Sequence, residues 1–269
     1  MGGFDAMGAV SSLGKRVVDG VEAFRSSCSF IGEAFCALLG VALRPDRFRF
    51  GDFALAFQRA AFDGLVISTG IGLLLGLILA FESAAALRMF GAEVYVSDLL
   101  AIGLFRELGP LVTAIILAGR SGSAFAAEIG TMKVDEELDA LTTMGLPPVR
   151  FLVPPRVAAA VLAMPILTVF AELAGLAGGA LVLNLMNVPT VVFWNHVMDT
   201  STAFMVGFGL VKSCIFGLLV GLVGCGAGMR TKSTADGVGV ATTSAVVGGI
   251  VAIAVADGLL AVICYVWGV

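Results

Sequence analysis

The stretch Ala203–Gly228, AFMVGFGLVKSCIFGLLVGLVGCGAG, runs for 26 residues with one charge, Lys212. A helix needs about 20 mainly apolar residues to cross the hydrocarbon core of a bilayer, so this stretch reads as a membrane span with an ammonium inside it. Lipid offers the backbone no hydrogen-bond partner, which leaves the helix as the open-chain solution. Four more apolar runs stand at roughly 61–81, 98–118, 157–183 and 241–267. Composition agrees: 59% of residues are apolar and 13% charged, and the mean hydropathy of +1.03 is outside the soluble range. The expected fold class is an all-α integral membrane protein, with about five transmembrane helices after an N-terminal interfacial helix.

Residues 1–60 are expected to form an N-terminal cytoplasmic and interfacial segment, and 61–269 the transmembrane domain. Cys28 to Leu43 is apolar but short, is interrupted by Glu33, and leads into Arg44-Pro45-Asp46-Arg47-Phe48-Arg49-Phe50. Basic and aromatic residues mixed in this way suit a helix lying in the interface, along Cys28 to about Phe57. Lys15 and Arg16 are followed by Asp19 and Glu22 and not by an apolar core, so no signal-peptide cleavage is expected.

The sixteen Lys and Arg residues orient the chain. Seven precede the first span, Arg120, Lys133, Arg150 and Arg156 lie between spans two and three, and Arg230 and Lys232 lie between four and five. Those loops are expected on the cytoplasmic side, with the N-terminus inside and the C-terminus outside. Two basic residues, Arg106 and Lys212, remain inside spans. Counting from the outer ends at 1.5 Å per residue puts both roughly 12 to 15 Å deep, level with Glu172 and Asp257. Arg106, Glu107, Glu172, Lys212 and Asp257 thus form one expected charged layer, which either joins helices as structural salt bridges or lines a polar substrate path.

Other chemistries have few parts to work with. Cys28, Cys36, Cys214, Cys225 and Cys264 are scattered without C-x-x-C spacing, and His196 is the sole histidine, so no metal site is expected and the cysteines read as small hydrophobes. The basic residues form no stripe for nucleic acid. No G-x-x-x-x-G-K-[ST] occurs, so any ATP hydrolysis belongs to another chain. An ion-coupled secondary transporter using Glu172, Lys212 and Asp257 is an alternative, although its inverted repeats are not evident. A hydrolase using Ser121 lacks the G-x-S-x-G elbow.

The long inner loop is more specific. Gly119-Arg120-Ser121-Gly122-Ser123 reads as the end of span two, and residues 131–145 as a short amphipathic helix with Val134, Leu138 and Leu141 on one face. Gly145, Pro147 and Pro148 stop it. Its acidic residues Asp135, Glu136, Glu137 and Asp139 would be repelled by an anionic leaflet, which favours docking on a soluble partner.

With these residues the chain resembles the MlaE (YrbE) family of ABC-transporter permeases. The resemblance rests on Arg106-Glu107-Leu108-Gly109-Pro110, Leu117 to Ala124, Ala127 to Lys133 and Glu136 to Leu141, and continues in Val211-Lys212-Ser213, Phe216-Gly217, Gly237-Val238-Gly239 before Ala241-Thr242-Thr243, and Asp257. It covers roughly residues 25 to 269. It implies an inner-membrane permease that is not itself an enzyme and needs no cofactor of its own. It further implies a homodimer with a cytoplasmic ABC ATPase that binds the ATP, moving phospholipid to or from a periplasmic MCE-domain protein and so contributing to outer-membrane lipid asymmetry. A STAS-domain protein often joins such systems, and sterols or aromatic hydrocarbons are alternative cargo. The loop helix takes the part of the coupling helix, with Val134, Glu137, Leu138, Asp139 and Leu141 as its contact residues, and Arg106, Glu107 and Lys212 match the family's intramembrane charges. Val240 departs from the pattern, standing where a basic residue is common.

Overall fold

The computed structural model describes residues 25–41, 43 and 48–267. Arg44, Arg47 and the first 24 residues, on which part of the interfacial reading rests, lie outside them. Helix α1 covers residues 25–41. Its Ala34 is fully buried and Phe30 lies over Gly226 at the end of the Ala203–Met229 helix, while Ile31, Phe35 and Leu39 point outward. That two-sided arrangement suits a helix with the protein on one face and an apolar medium on the other.

Among the described residues, five helical stretches are long and apolar enough to cross a membrane. They are α2 (Phe50–Arg88), the composite Glu93–Val134, α7 (Pro148–Leu185), α9 (Ala203–Met229) and α10 (Ala235–Trp267). The protein is therefore an all-α, multi-pass membrane protein. At 1.5 Å per residue α2 is about 58 Å long, well beyond a hydrocarbon core of about 30 Å, so its ends stand in the interface or beyond. It begins before the expected first span, so that residues 50–60 belong to the same continuous helix, with Phe53 stacked on Phe57.

The second span holds two departures. It is built from α3 (Val96–Gly103), a π turn at Leu104–Leu108, α4 (Gly109–Leu117), a second π turn at Ala118–Gly122, and α5 (Ser123–Val134). Gly119 to Ser123 does not end the span, as the sequence suggested; the π turn there fits one extra residue into the helix, which continues as α5. The next helix, α6, is Glu137–Thr143, shorter than the expected 131–145. Thr131 to Val134 belong to α5, and the break comes at Glu136, whose φ of 60° is left-handed. Helix α8 (Thr190–Thr200), absent from the sequence reading, covers the opposite end of the bundle.

The helices pack through small residues. Helix α2 runs along α7, α7 against α9, and α9 against α10; α4 lies against α7 and α9, and α5 against α9 and α10. A Cβ on Gly76 would sit 1.9 Å from the Gly175 carbonyl oxygen, and one on Gly72 2.3 Å from that of Ala171. Because lipid tails are as apolar as leucine, such close backbone approach and its dispersion contacts hold membrane helices together.

Candidate functional site

The site begins with Pro110. Proline has no N–H, and in a helix its ring collides with the carbonyl four residues earlier, here that of Arg106. The chain responds with the π turn at Leu104–Leu108, closed by the Gly109 N–H donating to the Leu104 carbonyl five residues back. The Arg106 carbonyl is left for another donor, and Lys212 Nζ of α9 supplies it at 3.4 Å. Such π turns cluster at functional sites because they turn side chains off the regular helical register.

Gly209, one turn before Lys212, makes the approach possible, since a Cβ there would lie 2.2 Å from the Phe105 carbonyl oxygen. With the backbones this close, the Lys212 ammonium contacts Glu107 Oε2 directly and lies 2.5 Å from Asp257 Oδ1 of α10. The Asp257 contact lacks hydrogen-bond directionality and is a close ion pair. Arg106 Nε stands 3.9 Å from Glu107 Oε1, and the Phe216 ring centroid is 5.9 Å from Nζ. The Lys212 side chain is fully buried, while Arg106 and Glu107 are each 36% exposed. Two cations and two anions therefore balance, with the buried ammonium as their common centre.

Four of the five residues of the expected charged layer thus come together, contributed by span two, α9 and α10. Glu172 does not join them. It is buried on α7, its Cγ and Oε1 placed against Gly109, 2.7 Å from where a Cβ would stand.

The α6 end carries a second cluster. Glu128 of α5 receives Arg59 Nη1 of α2 at 2.6 Å and Arg156 Nη2 of α7 at 3.1 Å. Arg120, in the second π turn, pairs with Asp63 at 2.9 Å and donates to the Arg59 carbonyl at 2.8 Å. Beside them a groove of about 420 Å³ opens between α2, α6 and α7, with Leu55, Leu141, Met144 and Phe151 among its walls. The Lys212 cluster takes no part in this groove.

Helix α6 itself departs from expectation. Leu138 is 8% exposed and Leu141 packs on the same core, so both apolar residues are used within this chain, and Val134 sits on α5. What α6 and the Asp135–Glu136 turn before it present outward is acidic, with Glu137 and Asp139 on the helix, bordered by exposed Met144 and Leu146. At the opposite end the sequence reading missed Asp98, which accepts from Thr200 Oγ1 at 2.8 Å and lies 3.2 Å from His196 Nδ1, pinning α8 to α3. The only sequence signal for that latch was polar residues at two neighbouring span boundaries.

The family described as Permease MlaE matches residues 53–263. A probable ABC transporter permease protein of Synechocystis is 40% identical over 186 residues, 69% of this chain and 71% of the relative. The intermembrane phospholipid transport system permease protein MlaE of Haemophilus influenzae is 34% identical over 243 residues, 88% and 90% of the two chains. The chloroplast protein TRIGALACTOSYLDIACYLGLYCEROL 1 of Arabidopsis thaliana is 36% identical over 189 residues, 69% of this chain and 53% of that one. The family match runs from the first turn of α2 to the last turns of α10 and takes in both π turns, α6 and the Lys212 cluster. The chain belongs to the MlaE family of ABC-transporter permeases.

Proposed function

We propose that this permease moves phospholipid between the inner membrane and a periplasmic MCE-domain lipid carrier, as a homodimer driven by a cytoplasmic ABC ATPase. The observation that carries the reading is the buried Lys212 ammonium held between Glu107 and Asp257, with the half-exposed Arg106 and Glu107 as its open side. A phosphate replacing one carboxylate would exchange one desolvated ion pair for another, which costs little, whereas a neutral apolar cargo has no use for the cluster. The name of the Haemophilus influenzae relative, a phospholipid transport permease, supports that cargo.

The α6 end faces the cytoplasm in this reading, since its loops hold the positive charge. The ATPase meets the acidic surface of Glu137 and Asp139 together with exposed Met144 and Leu146, while Leu138 and Leu141 anchor α6 to the bundle. A STAS-domain protein joins the ATPase. Against the ion relay stands the lack of an ion pair between Glu172 and Lys212, and against the hydrolase Ser121 being 5% exposed within a π turn.

The test is purification of the permease from its native membrane followed by reconstitution with whatever ATPase coelutes, and lipid capture by a photo-crosslinker at position 107. Coelution of an ATPase and recovery of phospholipid adducts are expected. Adducts of sterol or aromatic hydrocarbon only, or none from a transporting complex, would refute the cargo.

A further inference from the structure

We infer that Glu128 is a positioning residue for coupling: it clamps α2 and α7 to α5, so that movement of α6 shifts these helices as one body. The inference rests on the function proposed above, and it gives a role to the Arg120 and Glu128 motifs, which the Lys212 cluster and the α6 surface do not use.

Only Asp135 and Glu136 separate α5 from α6, and only Met144 to Pro147 separate α6 from α7. A displacement of α6 therefore reaches the bundle through two short tethers. Glu128 stands six residues before the end of α5, roughly 9 Å along the helix. One of its carboxylate oxygens takes Arg59 Nη1 at 2.6 Å, and the other takes Arg156 Nη2 at 3.1 Å and Nε at 3.3 Å. Arg156 is 14% exposed and also donates Nη1 to the Leu152 carbonyl at 3.0 Å, which fixes its plane. Arg120 adds the second link, from the π turn at Ala118–Gly122 to Asp63 and to the Arg59 carbonyl.

The result is a closed ring of α5, α6 and α7, shut at its far side by Glu128 and Arg156 and tied to α2 by Arg59. Span two carries Arg106 and Glu107 at its other π turn, and α2 packs on α7 with close backbone approach at Gly72 and Gly76. Without the clamp, α5 is free to tilt on its own and the π turn at Ala118–Gly122 absorbs the motion. With it, the push travels along span two and the α2–α7 pair together. A bidentate carboxylate suits this task because two guanidiniums on different helices fix its position in the plane.

The experiment uses the full transporter in proteoliposomes of phosphatidylethanolamine and phosphatidylglycerol, and reads phospholipid moved per ATP hydrolysed. Glu128→Gln and Arg156→Gln are expected to keep ATPase coelution and basal hydrolysis while lowering that ratio roughly 3- to 30-fold. The double variant should be no worse than the poorer single, and Glu128→Asp should recover part of the ratio, because the residues act as one unit. An unchanged ratio in Glu128→Gln overturns the clamp, as does an additive loss in the double variant. A loss that tracks melting temperature and is not recovered in Glu128→Asp also overturns it. If the wild type moves no phospholipid, the cargo reading is what fails, and the clamp is read instead from spin labels at positions 55 and 131 in a cysteine-free background. Their distance distribution should stay narrow on ATP addition in the wild type and broaden in Glu128→Gln; equal distributions overturn the clamp.

Discussion

Replacing Lys212 by methionine keeps most of the side-chain volume and removes a cation that touches both Glu107 and Asp257. Both carboxylates contact the same ammonium, so their facing oxygens stand within about 5 Å of each other, and at an effective dielectric constant of about 20 their repulsion is on the order of 3 kcal/mol. This agrees with the lower end of the roughly 3 to 5 kcal/mol seen when one member of a buried ion pair is removed. Arg106, 3.9 Å from Glu107 and half-exposed, offsets only part of it. Lys212→Met should therefore lower thermal stability in detergent and abolish transport. Lys212→Met with Asp257→Leu leaves Arg106 and Glu107 as a balanced pair and should regain stability and ATPase assembly. If the ammonium meets the lipid phosphate, that double variant still carries no phospholipid. Stability of Lys212→Met equal to the wild type would refute the electrostatic reasoning, and restored transport in the double variant would refute the headgroup role of Lys212.

Three further outcomes follow from the geometry. Pro110→Ala should let the helix close its regular bond to the Arg106 carbonyl, turning Arg106 and Glu107 away from α9; transport should fall while membrane insertion stays normal, and normal transport would show that the π turn is incidental. Gly209→Val places a Cβ 2.2 Å from the Phe105 carbonyl oxygen and should push α9 off span two, with a cysteine pair at positions 107 and 212 no longer crosslinking, whereas the same pair should crosslink with Gly209 retained. Asp98→Ala removes the acceptor of Thr200 and the partner of His196 and should release α8 at a cost of about 1 kcal/mol, seen as faster proteolysis between residues 186 and 202 with α9 intact.

The sequence reading and the structure part company at identifiable residues. The mixture of arginine and phenylalanine around residues 44–50 set the expected start of the first span near residue 61, yet one helix runs unbroken from Phe50 through Arg59, which pairs with Glu128. Gly119 to Ser123 looked like a terminus because glycine and serine punctuate helices; packing on α9 and α10 instead holds them in a π turn. The break at Glu136 had no glycine or proline to announce it, and a left-handed glutamate costs about 1 to 3 kcal/mol that only tertiary contacts can offset. Leu138 and Leu141 were legible as an apolar face, but which surface that face would cover was not.

The sequence by itself determined the class and the number of spans, because apolar length against a fixed hydrocarbon thickness is a one-dimensional quantity. It also determined that Arg106, Glu107, Lys212 and Asp257 would need one another, because isolated charges in lipid are costly. Only the tertiary structure decided that these four meet while Glu172 stands apart, and that Glu128 joins three helices. Depth can be counted along a chain, but the azimuth of each helix is set by where its glycines let another backbone approach and by where proline removes a hydrogen bond, and both depend on partners far away in sequence.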